Sequence, residues 1–282
     1  MKNIGLVLEG GGMRGLYTAG VLDVFMNNNI YFPYVIGVSA GACNAASYIS
    51  RQIGRNKRVI LDYIGDPRYM SYRNFFKEGN LFGTDFVFNE IPNKLIPFDY
   101  HTYNNSKETF VIVATDCNRG TPVYFYKKNG HDVLNQLKAS SSLPFLSPIV
   151  DINGMKLLDG GIVDSIPIKK SIEDGNKKNV IILTRDKNYR KKPFKGNFVS
   201  KKVYKNYENI VQAINNRYKI YNETLDYIEE LELSGKAFVI RPKESLQIGR
   251  LEKNKVKLEK LFDQGYSDSE DCFNKLSEWI NI

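Results

Sequence analysis

The stretch IGLVLEGGGMRGLYTAGVL, residues 4–22, decides the fold. Residues 3–9 (NIGLVLE) are short, apolar and rich in branched side chains, as a strand buried on both faces of a parallel sheet must be. Three glycines interrupt it. Residues 15–29 then place Leu16, Ala19, Leu22, Val24 and Phe25 near helical spacing. Strand, glycine loop and helix in that order form the building unit of α/β proteins. The loop itself has two readings. Gly10, Gly12 and Gly15 make a GxGxxG, the dinucleotide-binding fingerprint. The same glycines could instead turn backbone N–H groups toward an oxyanion, as an ester-cleaving site requires.

The unit recurs downstream. YVIGVS (34–39) is a second strand, and AGACNAASYISRQI (40–53) reads as a helix beginning beside Ser39. FVIVATD (110–116) is a third strand, followed by an Asn-Arg-Gly turn and the strand-like TPVYFYK. Residues 130–143 read as a helix that stops before Pro144. IVDINGMKLLDGG (149–161) reads as two short strands around Asn153-Gly154, with Asp159 at the exit. NVIILTR (179–185) and KAFVIRP (236–242) are further strands, separated by a long helix over roughly residues 203–233. Its apolar positions Tyr207, Val211, Ile214, Tyr218, Tyr221, Leu225 and Ile228 step by three or four, a stripe suited to core packing. Two more amphipathic helices are expected between residues 250 and 282, and the aromatic residues 66–100 read as a loop that could cover a site. The pattern predicts an α/β fold of three layers, α/β/α, around a mainly parallel sheet. Residues 1–185 would form the site-bearing domain and residues 186–282 a helical C-terminal part packed on the same unit.

Composition narrows the class. With 42% hydrophobic and 25% charged residues, the chain has the make-up of an ordinary globular protein. No run approaches the ~18–20 apolar residues of a membrane span. The first residues reach a charge and a glycine cluster after Leu8, with no small-residue cleavage site, so a cytoplasmic location is expected. Cys43, Cys117 and Cys272 are too few and too scattered for a disulfide framework or a metal knot, and they fit a reducing compartment. His101 and His131 are likewise too sparse for a metal site, and both read as surface residues. The net charge is +9, and between Arg185 and Lys205 nine cations face one acid, Asp186, so nearly the whole surplus sits in one segment.

The second strand ends in GVSAG, so Gly37, Ser39 and Gly41 form GxSxG. That spacing puts a serine in a tight strand-to-helix turn whose small neighbours let the hydroxyl stand free. The following helix directs its N-terminal N–H groups at the same place. A nucleophilic serine needs a base. The α/β-hydrolase order is Ser, acid, His, yet no histidine follows His131, and the best acid, Asp159, comes later still. A histidine-based triad is therefore disfavoured.

GGGMRG at 10–15, GVSAG at 37–41, ASSSLPFLSPI at 139–149 and DGG at 159–161, in that order, resemble the patatin-like phospholipase family from residue 5 to about 167. The resemblance implies a patatin-like fold and a lipid acyl hydrolase that works with a Ser–Asp dyad and no cofactor or metal. It implies Ser39 as nucleophile and Asp159 as base, with Gly10, Gly11, Gly12 and Arg14 in the oxyanion-hole segment. The residues agree with that mapping. An exposed aspartate is a poor base for an alcohol, but desolvation raises its basicity, and Asp159 leaves an apolar run. A dinucleotide site wants an acid at the end of the second strand to hold the ribose. That strand ends here in Ser39, and the nearest acid, Asp23, lies within the first helix. The glycine loop is read as an oxyanion hole. One departure stands out: the family often has an asparagine shortly after DGG, where this chain has Asp164-Ser165-Ile166-Pro167, and Ser165 is a weaker orienting group.

The segment Arg185–Lys205 interleaves its cations with Tyr189, Phe194, Phe198 and Tyr204. Anionic lipid headgroups attract such a segment at ~1 kcal/mol per cation near the surface. Peripheral contact with the inner membrane face is expected, and no nucleic acid, since no binding module accompanies the charge. Two rivals to the hydrolase reading are a nucleotide-binding protein using Gly10, Gly12 and Gly15, and a lipid-binding module without catalysis.

Overall fold

Five parallel strands form the centre of the computed structural model, which describes residues 3–127, 132–244 and 247–280. They are β1 (Ile4–Leu8), β2 (Tyr34–Val38), β3 (Thr109–Asp116), β7 (Lys178–Ile182) and β8 (Ala237–Ile240), side by side in the order β3-β2-β1-β7-β8. Three antiparallel strands complete the sheet: β4 (Thr121–Tyr126) on β3, β6 (Met155–Asp159) also on β3, and β5 (Val150–Ile152) on β6. Every residue of β1 and β2 is buried because helices cover both faces, which is why these strands are continuously apolar.

Leu6, Leu8, Val35 and Ile182 point into one layer, against α1 (Gly15–Asn27), α2 (Ala40–Ile49) and α10 (Lys255–Ile280). Val7, Ile36, Val38 and Ile181 point into the other, against α7 (Ile168–Glu173) and α9 (Glu208–Leu233). The C-terminal part thus supplies an outer strand, β8, and a helix on each face. It is also tied to α1 and to β7. The Tyr17 hydroxyl donates to the Asp268 carboxylate at 3.0 Å, and the Lys178 ammonium to the Trp279 carbonyl at 3.1 Å.

Strand β3 has three neighbours and only two edges. On one edge lies β4, along residues 111–116. The other is divided: β2 pairs up to Val38 opposite Val113, and β6 takes over from Asp159 opposite Ala114. The residue after Val38 and the last residue of β6 therefore meet at one point of the β3 backbone.

Several expectations need correction. The tail is one helix, α10, rather than two. Gly265, at its middle, leaves the helix unbroken and lets it touch α1: a Cβ there would sit 2.1 Å from the Tyr17 carbonyl oxygen. The long helix begins at Glu208, not near residue 203. A separate α8 (Asn197–Val203) precedes it, and the turn between them buries Tyr204, whose hydroxyl accepts the Phe145 N–H at 2.9 Å. Residues 66–100 are largely helical, with α4 (Tyr72–Glu78) and a π-helical segment, Phe86–Leu95. The expected helix over 130–143 is α6 (Val133–Ser140), opened by Asp132, whose side chain accepts the Asn135 N–H. Gly130 and His131 lie outside the described residues. His101 sits exposed on α5 (Tyr100–Asn105), at the surface as expected. Helix α3 (Arg55–Leu61) had no clear sequence signal.

Helices α1 and α10 approach this closely only because Gly20 and Gly265 carry no side chain. Replacing Gly265→Leu should lower the unfolding free energy by ~1–3 kcal/mol through overpacking, measured by urea denaturation.

Candidate active site

Ser39 alone forms the turn between β2 and α2, with φ 53° and ψ −122°. A non-glycine residue held in such a region costs ~1–3 kcal/mol. Its neighbours make the turn possible: a Cβ on Gly41 would lie 2.6 Å from the Leu8 carbonyl oxygen, and one on Gly37 2.8 Å from the Ala42 nitrogen. Both positions of the GxSxG pattern therefore have a steric reason. The strain is held by Ser140 at the end of α6. Its Oγ accepts the Ser39 N–H at 2.8 Å and donates to the Val113 carbonyl at 2.6 Å, locking the turn onto β3.

Asp159 ends β6 and is 4% exposed. Its N–H donates to the Ser142 carbonyl at 2.8 Å, and its own carbonyl accepts the Thr115 hydroxyl at 2.8 Å. One carboxylate oxygen, Oδ1, accepts the Gly161 N–H at 2.7 Å. The Ser39 side chain stands beside the same carboxylate. Burial raises the pKa of Asp159, while the nearby Arg217 guanidinium, the Ser39 hydroxyl and the Gly161 N–H oppose that rise. The net rise makes the group a stronger base than an exposed aspartate, while the Gly161 N–H anchors its Oδ1.

The glycine loop lies across from this pair. The Gly10 N–H is committed to the Ser165 carbonyl at 3.2 Å and the Met13 N–H to the Arg250 carbonyl at 3.2 Å. Among the described residues, the N–H groups of Gly11 and Gly12 have no such partner. Ser165 does more than its small size predicts. Its hydroxyl donates to the Gly161 carbonyl at 2.7 Å, so one residue ties the loop after Asp159 to the loop after β1. Arg14 is 8% exposed; its Nε is buried without a partner, and its side chain lines the same cavity. Asp23 is turned away, accepting the Gly54 N–H at 3.1 Å.

Two cavities meet at Ser39. The larger, about 530 Å³, opens at the carboxyl ends of β1, β2 and β7, where ligands of α/β proteins bind. Eight lysine or arginine side chains and two carboxylates, Glu9 and Asp159, line it. Much of the basic segment faces inward here, since Arg185 and Lys191 form part of the wall. The smaller cavity, about 130 Å³, is apolar and includes Met13, Cys43, Val59, Tyr69, Val87 and Phe88. The helical segment over residues 66–100 therefore walls this cavity. Gly12, Ser39 and Leu143 border both spaces.

Glu9, Arg217 and Arg250 also surround the site, and none was singled out from the sequence. Glu9 accepts from the Thr184 backbone N–H at 2.6 Å and the Tyr221 hydroxyl at 2.7 Å. Arg217 had a legible signal: it lies between Ile214 and Tyr221 on the apolar stripe of α9, where a cation has no place in a simple core. Nothing in the sequence marked Arg250. Among the described residues, no helix is long and apolar enough to cross a membrane, and no cluster of metal-ligating side chains is present.

A family model described as patatin-like phospholipase matches residues 6–171, and a second, described as a domain of unknown function (DUF6363), matches residues 207–281. The uncharacterized protein YjjU of Escherichia coli (strain K12) is 36% identical over 188 residues, covering 64% of this chain and 52% of that protein. The probable lipid hydrolase 463L of Invertebrate iridescent virus 6 is 28% identical over 196 residues, covering 62% of this chain and 65% of that protein. The lysophospholipase NTE1 of Meyerozyma guilliermondii is 28% identical over 188 residues, 62% of this chain but only 12% of that protein. The matches thus span between an eighth and two thirds of these relatives. Among solved structures, VipD from Legionella pneumophila matches with a TM-score of 0.50 at 12% identity, covering 98% of this chain and 67% of that one, a likeness of fold alone.

Because Ser140 satisfies two buried backbone groups at once, Ser140→Ala should cost ~1–3 kcal/mol of stability, measured by urea denaturation.

Proposed function

The chain belongs to the patatin-like phospholipase family and has its fold, and from that premise we propose that it cleaves acyl esters of lipids through an acyl-enzyme on Ser39. Asp159 takes the Ser39 proton as Oγ attacks the ester carbonyl, and the C–O bond to the alcohol breaks as the proton passes on to that alcohol. Water then attacks the acyl-enzyme, gives its proton to Asp159 and releases the fatty acid, and the proton returns to Ser39. The N–H groups of Gly11 and Gly12 are the donors left to hold the tetrahedral oxygen, with Gly10 and Arg14 shaping the loop around them. Each such donor is worth ~2.7–4 kcal/mol in the transition state.

The observation that carries this reading is the place of Ser39: beside a buried carboxylate, and on the border between a cationic cavity and an apolar one. An amphiphile whose ester lies between a polar head and an alkyl chain fits that border. A nucleotide reading gains no acid at the end of β2, and a module that only binds lipid has no need of a strained serine facing a carboxylate.

Peripheral membrane contact belongs to the same proposal. The outer part of the basic segment is α8, where Phe198 (81%), Val199 and Val203 are exposed next to Lys201 and Lys202. Aromatic and aliphatic side chains flanked by lysines suit the surface of an anionic bilayer, and such contact is compatible with the expected cytoplasmic location.

Fluorophosphonate labelling of the wild type should be abolished in Ser39→Ala and reduced at least a hundredfold in rate in Asp159→Asn, with phospholipid turnover falling in parallel. Labelling that persists in Ser39→Ala would place the nucleophile elsewhere. The pH profile supplies a second check. The working form of Asp159 is the carboxylate, and the Arg217 charge holds its pKa below the position burial alone would set. Arg217→Gln removes that charge, so the acid limb of kcat/KM on an uncharged short-chain ester should move to higher pH.

A further inference from the structure

The larger cavity holds far more positive charge than the proposed ester cleavage requires. Its two carboxylates are already engaged, Glu9 by Thr184 and Tyr221 and Asp159 by Gly161. Among the described residues, none of Arg185, Lys191, Arg217 and Arg250 takes part in an ion pair. The Nε atoms of Arg14, Arg185 and Arg217 are buried without a hydrogen-bond partner. Arg185 lies over the Tyr189 ring and Lys191 over the Tyr221 ring, and the Asp159 and Glu9 charges reach Arg217 and Lys191, yet the cations in this partly desolvated space outnumber the carboxylates and repel each other. The effect is visible at Lys191, whose pKa is pushed down to about 7 by burial and by the Arg217 charge.

The arrangement is built on fixed elements. Arg185 follows the end of β7, and Arg217 projects from α9, with its guanidinium near Gly161 beside Asp159. The loop carrying Lys191 is clamped by Asn222 of α9, whose side chain accepts the Lys191 N–H at 2.8 Å and donates to its carbonyl at 3.1 Å. Arg250 is fixed through its carbonyl, which accepts the Met13 N–H. All four cations lie beyond the region matched by the patatin-like model, and Arg217 and Arg250 lie within the segment matched by the domain of unknown function.

We propose that Arg185, Lys191, Arg217 and Arg250 form a phosphate site that seats the anionic headgroup of the substrate, so that the C-terminal part of the chain selects phosphate-bearing acyl glycerols over neutral ones. This rests on ester cleavage at Ser39: the acyl chain enters the apolar cavity and the glycerophosphate leaves from the cationic one. Guanidinium groups suit a phosphate because they offer paired donors in one plane.

The test compares lysophosphatidic acid and lysophosphatidylglycerol with monoacylglycerol of the same acyl chain, using the full chain. In the wild type, kcat/KM should favour the phosphate-bearing esters roughly tenfold or more, the worth of one charged hydrogen bond. Arg185→Gln and Lys191→Gln should each lower that ratio by about the same factor. A ratio near one in the wild type, or a ratio unchanged in both variants, overturns the proposal, and equal losses on charged and neutral esters count as unchanged. Calorimetry on Ser39→Ala separates this result from the fate of the hydrolase reading. sn-Glycerol 3-phosphate should bind, and bind more tightly than inorganic phosphate; no binding, or equal binding of inorganic phosphate, overturns the headgroup assignment.

Discussion

The divided edge of β3 is the constraint from which the site follows. A strand edge offers each backbone group one partner, so β2 must end before β6 can begin. The handover between Val113 and Ala114 fixes where Ser39 leaves β2 and where Asp159 ends β6. Two residues far apart in the chain are brought together by hydrogen-bond geometry, with no need for the side chains to seek each other. Ser140 completes the junction by bonding to both Ser39 and Val113. Sites built on strands and helices hold their groups more precisely than sites on loops, and Ser39 and Asp159 both sit at strand ends.

Around that junction the surroundings divide by polarity. One side is walled by aromatic and aliphatic residues of the segment between α3 and α5, the other by cations from the C-terminal half. A carboxylate buried alone would be protonated at neutral pH; the adjacent guanidinium of Arg217 opposes this. The charge that surrounds the cavity therefore acts on Asp159 as well as on whatever anion enters.

Much of this was legible in the sequence, and the limits have physical causes. The strands were readable because burial on both faces makes them apolar throughout, and the Asn153-Gly154 turn because both residues take positive φ, 53° and 82°. Ser39, Asp159 and the glycines were legible because their spacing carries steric meaning. The single helix α10 was not, because Gly265 serves a contact with α1 that only the folded molecule reveals. The split of α8 from α9 depends on Tyr204 packing under Phe145, which is equally non-local. The direction in which the basic segment faces was not legible: composition records charge but not its orientation, and Asn222, which clamps the Lys191 backbone, lies 31 positions away.

The close seating of α10 on α1, with Arg250 gripping the glycine loop from the same end of the chain, also bears on cooperativity. First and last elements share one interior, so neither half of the polypeptide can open without exposing the other. Melting should accordingly proceed as one transition, with the integrity of the glycine loop after β1 lost at the same temperature as the C-terminal helix rather than before it.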